Sequence, residues 1–525
     1  MNKRITGLLV ALCVSGGQLM AQDEADALRY SRTTPGGTAR TQAIGGAAGS
    51  LGGDYSAAHV NPAGLGFFKT NEFVITPGFY FRSNDYNYRG INSNDSKSGI
   101  TLPNAGLIFG MPVNNQNSMW RNVTLSLGFN RVADFNNKRL IDGDNNQHSL
   151  SEKYLEDLIN NNVTSVEGVR NNFPLGASLA YETYLIDTIA NASGGITGFR
   201  SNVFPEFGLR QLDRIEEKGG IDEFAIGFGA NFADKLYWGL SLNIPSIHYE
   251  RNRFYEESDN SEGTPDDDPG FRFWTLDERL KTDAVGFNAK LGLTYTPNGA
   301  LRLGAAFHTP TWYSLKDVST AEIRHHMDDY DPDGQGPDRI QSTLDITDGY
   351  PVEYEYSLRT PWKGLVSASY IIGANSADVK KQLGFITADL EYVNYSAQRY
   401  KFNKGSGADR DYAEALNNSM SEMYKGAFNL RLGGEMKFNT FAARLGYAYS
   451  GSPYEDADMD GSNMKFSGGL GYRNKGFFID LTYVHTLAKD TYYPFKLQDD
   501  LGMPVTAAKG DLSGGNILMS VGFKF

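Results

Sequence analysis

The feature that most constrains this chain is an alternation of apolar with small or polar residues at a period of two, sustained over ten or so residues. In "EFAIGFGANFADKLYWGLSLNI", Phe224, Ile226, Phe228, Ala230 and Phe232 share one face, and Ala225, Gly227 and Gly229 take the other. After a turn at Ala233–Lys235, Leu236, Trp238, Leu240, Leu242 and Ile244 share a face opposed by Tyr237, Gly239, Ser241 and Asn243. Soluble sandwiches alternate as well, but their strands usually run about five or six residues.

Such segments recur at 72–82, 103–113, 121–131, 222–233, 235–248, 282–296, 301–316, 352–374, 382–396, 426–438, 440–450, 464–473, 476–487 and 514–525. Short connections, such as "AD", "TPNGA", "NT" and "RNKG", alternate with long ones at 83–102, 132–221, 249–281, 317–351, 397–425, 451–463 and 488–513. An even strand count with short turns at one end and long loops at the other is the pattern of bacterial outer-membrane barrels. The expected fold is therefore all-β, a fourteen-stranded antiparallel transmembrane β-barrel. The stretch 173–187 alternates weakly; as one spanning strand it would break the even count, so it is placed in the loop 132–221. A mean hydropathy of -0.42 does not oppose a barrel, because alternating residues cancel within a window.

Lys3 and Arg4 before the apolar run Ile5–Val14, with "LMAQ" behind it, read as a signal peptide over 1–21. The run is too short to anchor in a membrane. Cys13 is the one cysteine, and Leu12 before it argues against a lipoprotein site. No linker divides the rest of the 525 residues, and a net charge of -13 argues against a nucleic-acid partner. In the tail "NILMSVGFKF", Ile517, Met519, Val521, Phe523 and Phe525 alternate to the last residue. This resembles the C-terminal signal by which outer-membrane barrels are recognised, which makes Phe525 an assembly signal and the barrel assembly machinery a partner.

Motifs for catalysis are missing: there is no G-x-S-x-G, HExxH or CxxC. His325-His326 with Asp328 and Asp329 could form a rim hydrolase or metal site, but they read better as solvated loop residues. Two loops carry D-x-D-x-D-G, at Asp329, Asp331 and Asp333 and at Asp456, Asp458 and Asp460, a spacing that suits calcium. Both lack the closing Glu, with Ile340 and Ser467 in its place. No other cofactor is indicated. Residues 255–270 hold seven acidic and no basic side chains and read as a solvated loop. Residues 149–169 read as a helix with a Ser149/Glu152 capping box and an apolar stripe of Tyr154, Leu155, Leu158 and Ile159. Strand phase turns Thr387, Asp389, Glu391, Arg431, Glu435 and Arg444 into the lumen, where both signs predict an ionic network.

Ahead of the first strand runs "GGTARTQAIGGAAGSLGGDYSAAHVNPAG", made almost wholly of small residues. With "NPAGL" (Asn61, Pro62, Ala63, Gly64, Leu65), "TPNGALRLGAAFHTP", "LRTPWKG", "DLEYVNYS", "NLRLGGE" and "FAARLGYAYSGSPY" following in order, the chain resembles the FadL/TodX family of outer-membrane transporters for long-chain fatty acids and other hydrophobic compounds. The resemblance implies that residues 22–70 form a plug, or hatch, in the lumen of a barrel built from 71–525. It implies a hydrophobic small-molecule ligand, outer-membrane lipid around the barrel, and passive diffusion past a shifting plug with sideways release. The alternatives are a non-transporting surface barrel, such as an adhesin or structural protein, and a rim hydrolase.

Overall fold

The computed structural model describes residues 23–115, 117–260, 271–327, 332–374, 382–402, 407–497 and 505–525. The expected signal segment, and Asp328, Asp329 and Asp331, lie outside them.

Among the described residues fourteen strands form a closed ring. They are β1 (Glu72–Tyr88), β2 (Ile91–Pro112), β3 (Trp120–Asp134), β4 (Leu209–Phe232), β5 (Leu236–Asp259) and β6 (Phe273–Tyr295). Next come β7 (Leu301–His308, resuming as Trp312–His326), β8 (Val352–Arg359, resuming as Lys363–Ile372) and β9 (Gly384–Asn394, resuming as Arg399–Lys401). The ring ends with β10 (Gly426–Phe438), β11 (Phe441–Ser450), β12 (Asn463–Asn474), β13 (Phe477–Tyr492) and β14 (Ala508–Lys524). Each strand pairs antiparallel with its neighbour in sequence, and β14 returns to β1 from Glu72↔Lys524 to Asn87↔Lys509. Closure leaves no unpaired sheet edge in lipid, where free backbone groups are costly.

The alternation sorts the side chains. On β14 Ile517, Met519 and Phe523 are exposed outside, while Leu518 and Ser520 are buried inside. The outer band repeats around the ring in Phe81, Phe224, Leu291, Ile386, Leu432 and Leu470, all exposed. Trp120 against Trp238, and Phe477 against Phe523, mark the short-turn end of this band, as aromatic side chains do at a membrane interface.

The strands outrun the sequence pattern. The stretch 83–102, expected as a long connection, is a hairpin paired as far as Tyr88↔Ile91, turning at Arg89-Gly90 with both φ positive. β4 and β5 have 24 residues each and stay paired to Leu209↔Asp259, against the roughly 9–11 needed to span a bilayer. Above the membrane the outward face meets water, so the hydropathy signal fades while the hydrogen-bond ladder continues.

Within 132–221 lie a short strand (Asn137–Asn145) and three helices, α4 (Ser151–Asn160), α5 (Val166–Asn172) and α6 (Ala177–Glu182). The stretch 173–187 is thus loop: its regular pieces are the six residues of α6 and the start of a short strand, Ile186–Ala190, that pairs with Ile196–Ser201. Tyr154 and Leu158 are buried in a cap cluster with Trp274, Phe271 and Ile323, whereas Ile159 is exposed. The expected capping box does not form: α4 begins at Ser151 with no side-chain cap, and the Ser149 hydroxyl donates instead to Glu257 at 2.5 Å. The same hydroxyl accepts from Ser151 N at 3.0 Å, one residue short of the Glu152 N–H that a capping box engages.

The chain terminus completes the ring, since Phe525 N–H donates to Asn71 O and Asn71 N–H to Phe525 O, each at 3.1 Å. Removing Phe525 deletes both bonds and the last outward aromatic. The expected result is reduced barrel in the membrane fraction and loss of heat-modifiable migration on gels; unchanged levels would contradict it.

Candidate functional site

The lumen is occupied by residues 23–68. This inner segment contains α1 (Glu24–Ser31), α2 (Ala39–Ala43), α3 (Ala57–Val60) and a 3-10 turn (Pro62–Phe67). Asp23 caps α1 by accepting from Asp26 N at 2.8 Å, and Thr38 caps α2 by accepting from Thr41 N at 3.3 Å. Short helices with little side chain suit the space. Asn61 fastens the segment to the wall: its amide donates to Gly49 O at 2.6 Å and to Leu293 O of β6 at 3.2 Å, and its carbonyl accepts from Ala63 N at 3.1 Å. Gly239 and Gly292 on the adjacent wall make this approach feasible, because a Cβ at either would collide with Pro62 or with Asn61 Oδ1. Across the lumen, Gly433 and Gly446 admit Ile44 and Gly45 in the same way. Pro62, Ala63 and Gly64 are all buried.

The inward charges fall into separate groups. Glu435 accepts from Arg444 at 2.7 Å and from Arg40 of α2 at 3.1 Å, and Arg444 continues to Asp480 at 2.6 Å. Asp389 accepts from Gly49 N at 3.0 Å and from the Ser367 hydroxyl at 2.5 Å. Glu391 pairs with Arg431 at 2.7 Å and takes Asn429 at 2.8 Å. Most of these bonds tie the wall to itself or to the inner segment. Arg40, Asp480, Glu223, Lys290 and His59 were not picked out from sequence. Strand parity places Asp480, Glu223 and Lys290 inward by the same rule that found Glu391.

Glu391 and Arg431 also line a cavity of about 60 Å³ between the inner segment and the wall. Glu223 sits there with His59 Nδ1 at 3.0 Å, Asn288 Nδ2 at 3.2 Å and the Lys290 ammonium. Lys363 reaches in and donates to the Thr33 hydroxyl. At this height three neighbouring strands break together, at Thr309–Thr311, Thr360–Trp362 and Tyr395–Gln398. Side chains bridge part of the gap: Thr311 N–H donates to Thr360 Oγ1 at 2.9 Å, and Ala289 N–H to Thr309 Oγ1 at 3.0 Å. Backbone bonds also cross the gap, from Thr309 N to Ala289 O and from Thr360 N to Thr311 O, each at 3.0 Å, so the ladder is interrupted but not open where the cavity meets the wall.

The other candidates disperse. Asp456 and Asp460 accept from the backbone N–H of Asp458 and Ser462 at 2.9 and 2.8 Å, and Asp333 pairs with Arg339. Among the described residues no three metal-ligating side chains converge. His325 is not a solvated loop residue: it is fully buried on β7, with Nδ1 2.9 Å from Thr183 O, while His326 stacks on Phe273 and meets Asp338 at 2.8 Å.

The crystal structure of a FadL homologue from Pseudomonas aeruginosa matches with a TM-score of 0.53 at 14% identity, over 94% of this chain and 99% of that one. The chain has the fold of that FadL homologue. The Pseudomonas putida toluene transporter TodX also matches, with a TM-score of 0.48 at 14% identity over 94% and 99% of the two chains. So does the Ralstonia pickettii toluene transporter TbuX, at 0.47 and 14% over 94% and 99%. No family model and no curated protein matches the sequence. A FadL-type closed barrel with an apolar outer band belongs to the Gram-negative outer membrane.

The Asn61 anchor of this FadL-type barrel is open to test. Asn61→Ala removes four hydrogen bonds inside the lumen, on the order of 2–4 kcal/mol of local stability. The barrel is expected to assemble normally while protease or hydrogen exchange reaches residues 44–66 sooner. Equal protection in both proteins would show that Asn61 holds nothing.

Proposed function

We propose that the protein carries hydrophobic small molecules, such as long-chain fatty acids, across the outer membrane. The observation that carries this reading is the filled lumen. The inner segment occupies the lumen with cavities beside it, so in this reading polar solutes meet packed chain rather than an open pore in the resting state. An apolar ligand gains nothing from a water-filled pore, but gains wherever it can leave water. Passage then needs the inner segment, a plug in this reading, to shift.

Release runs sideways in this proposal, through the wall where β7, β8 and β9 break together beside the cavity at Glu391 and Arg431. Few ladder bonds would have to part there, and Phe307, Trp362 and Tyr392 give the outer rim an aromatic edge. No energy source is coupled; flow follows the ligand gradient.

The test is uptake of labelled oleate and of toluene by cells lacking other transporters of this kind, with ligands extracted from the purified barrel identified by mass spectrometry. Faster uptake with a co-purified hydrophobic ligand supports transport. Uptake no faster than in empty cells, at normal surface levels, would refute it and favour an adhesin or structural barrel.

A further inference from the structure

Adjoining that cavity at Thr34 and Val132, a chamber of about 460 Å³ lies between the inner segment and a wall that includes β1, β3, β12, β13 and β14. Strand register draws its wall. Arg431 of β10 faces Ala448 of β11, which faces Lys465 of β12; Lys465 faces Thr486, Thr486 faces Gly514, Gly514 faces Arg82 of β1, and Arg82 faces Lys97 of β2. One inward row across seven neighbouring strands thus carries four cations, with only Ala, Thr and Gly between them.

The outer cations of the row are neutralised, Arg431 by Glu391 at 2.7 Å and Lys97 by Glu216 at 3.1 Å. The middle two are not. Among the described residues neither Lys465 nor Arg82 makes an ion pair. Arg82 spends its guanidinium on neutral acceptors, Asn516 Oδ1 at 3.1 Å and Gly515 O at 3.4 Å. It lies across Gly514, where a Cβ would come within 2.8 Å of its Cδ. Three inter-strand steps of about 4.8 Å separate Lys465 from Arg82, a span their long side chains can close from both ends. From the inner segment Arg32 lines the same chamber and donates to Gly461 O, again without a carboxylate among the described residues. The two acids in the lining are already engaged, Glu217 by Arg139 at 3.0 Å and Asp134 by Arg131 at 3.8 Å.

The row lies at the outer edge of the apolar band: Phe81, Met464 and Phe466 beside it face outward and are exposed, while Lys97 already stands in the hairpin above the band. Unneutralised charge in that setting is costly and points to a functional partner. The lining adds amides and hydroxyls that can donate to an oxyanion, among them Asn84, Asn463, Ser513 and Asn516, beside the apolar Val132, Phe135, Leu512 and Leu518. We propose that this chamber binds a small hydrophilic oxyanion carrying a phosphate group, held by Arg32, Arg82 and Lys465. This is a second ligand class, distinct from the hydrophobic one above.

The test uses the purified full-length barrel in neutral detergent. Inorganic phosphate is titrated calorimetrically and by thermal unfolding, against chloride at equal ionic strength. Binding is expected, weakened about tenfold or more by Lys465→Gln and by Arg82→Gln, each of which removes a charge-assisted bond. Both variants are checked for heat-modifiable migration, and their oleate uptake is expected to match the parent. No binding, or binding equal in parent and folded variants, would overturn the proposal. So would binding of dodecyl phosphate without inorganic phosphate, which would make the site one for a lipid headgroup.

Discussion

Deleting residues 36–60 is expected to turn the occluded barrel into an open pore. The deletion removes α2, α3 and the glycine turns between them, and with them Arg40, Gly49 and Asp54. The fourteen-strand ladder does not pass through this segment, and β1 still closes on β14. Among the side chains left facing the void, Ser367, Asp389, Glu435, Arg444, Asp480, Thr482 and Ser520 are polar or charged, beside the apolar Leu365, Ile371, Phe385, Val484 and Leu518. Such a lumen fills with water. Single-channel conductance should change from closed to steadily open, and cells should become sensitive to large polar antibiotics. Heat-modifiable migration shows whether the barrel has assembled. An assembled variant with no added conductance would mean that the strands or the external cap close the lumen by themselves.

The second large effect is expected at Glu257. Its carboxylate is fully buried and accepts from five donors: Ser149 Oγ at 2.5 Å, Leu150 N at 2.9 Å, Gln211 Nε2 at 2.8 Å, Tyr255 Oη at 2.7 Å and Trp274 Nε1 at 2.8 Å. These donors come from the start of the helical cap and from β4, β5 and β6, so one side chain holds the cap to the extended strands. Glu257→Ala strands buried donors at about 1–3 kcal/mol apiece. Water entering the vacated space would lower the sum, leaving a loss on the order of 4–6 kcal/mol confined to the cap. Protease cleavage within 149–208 should accelerate strongly on intact cells, with a shift in Trp274 fluorescence, while the barrel stays folded. Glu257→Gln should lie between, because its amide keeps one acceptor and adds a donor facing donors. Unchanged cap protection in both variants would remove Glu257 from this role.

Much of the architecture was legible because a barrel imposes a local rule. Ile386 and Leu390 point to lipid and Asp389 and Glu391 inward by parity alone, and the same parity places Arg431, Glu435 and Arg444. The count of fourteen followed from turns such as Asn298-Gly299 and the two-residue link Asn439-Thr440. Where the environment of the outer face changed from lipid to water, the rule lost its signal. The hairpin 83–102 therefore looked like loop although its ladder is continuous. His325 was misplaced because an acidic run begins three residues after it, although its own strand turns it into the cap beside Phe271 and Thr183.

The sequence by itself determined the strands, their inward and outward faces and the small-residue character of the inner segment, because each depends on residues adjacent in the chain. The tertiary structure decided which inward groups meet. Arg40 reaches Glu435 across 395 positions, Gly49 reaches Asp389 across 340, and Asn61 reaches Leu293 across 232. Lys465 and Arg82 share one chamber only because β14 closes on β1. Closure brings the two ends of the chain side by side, and no periodicity within a strand encodes the neighbours that closure supplies.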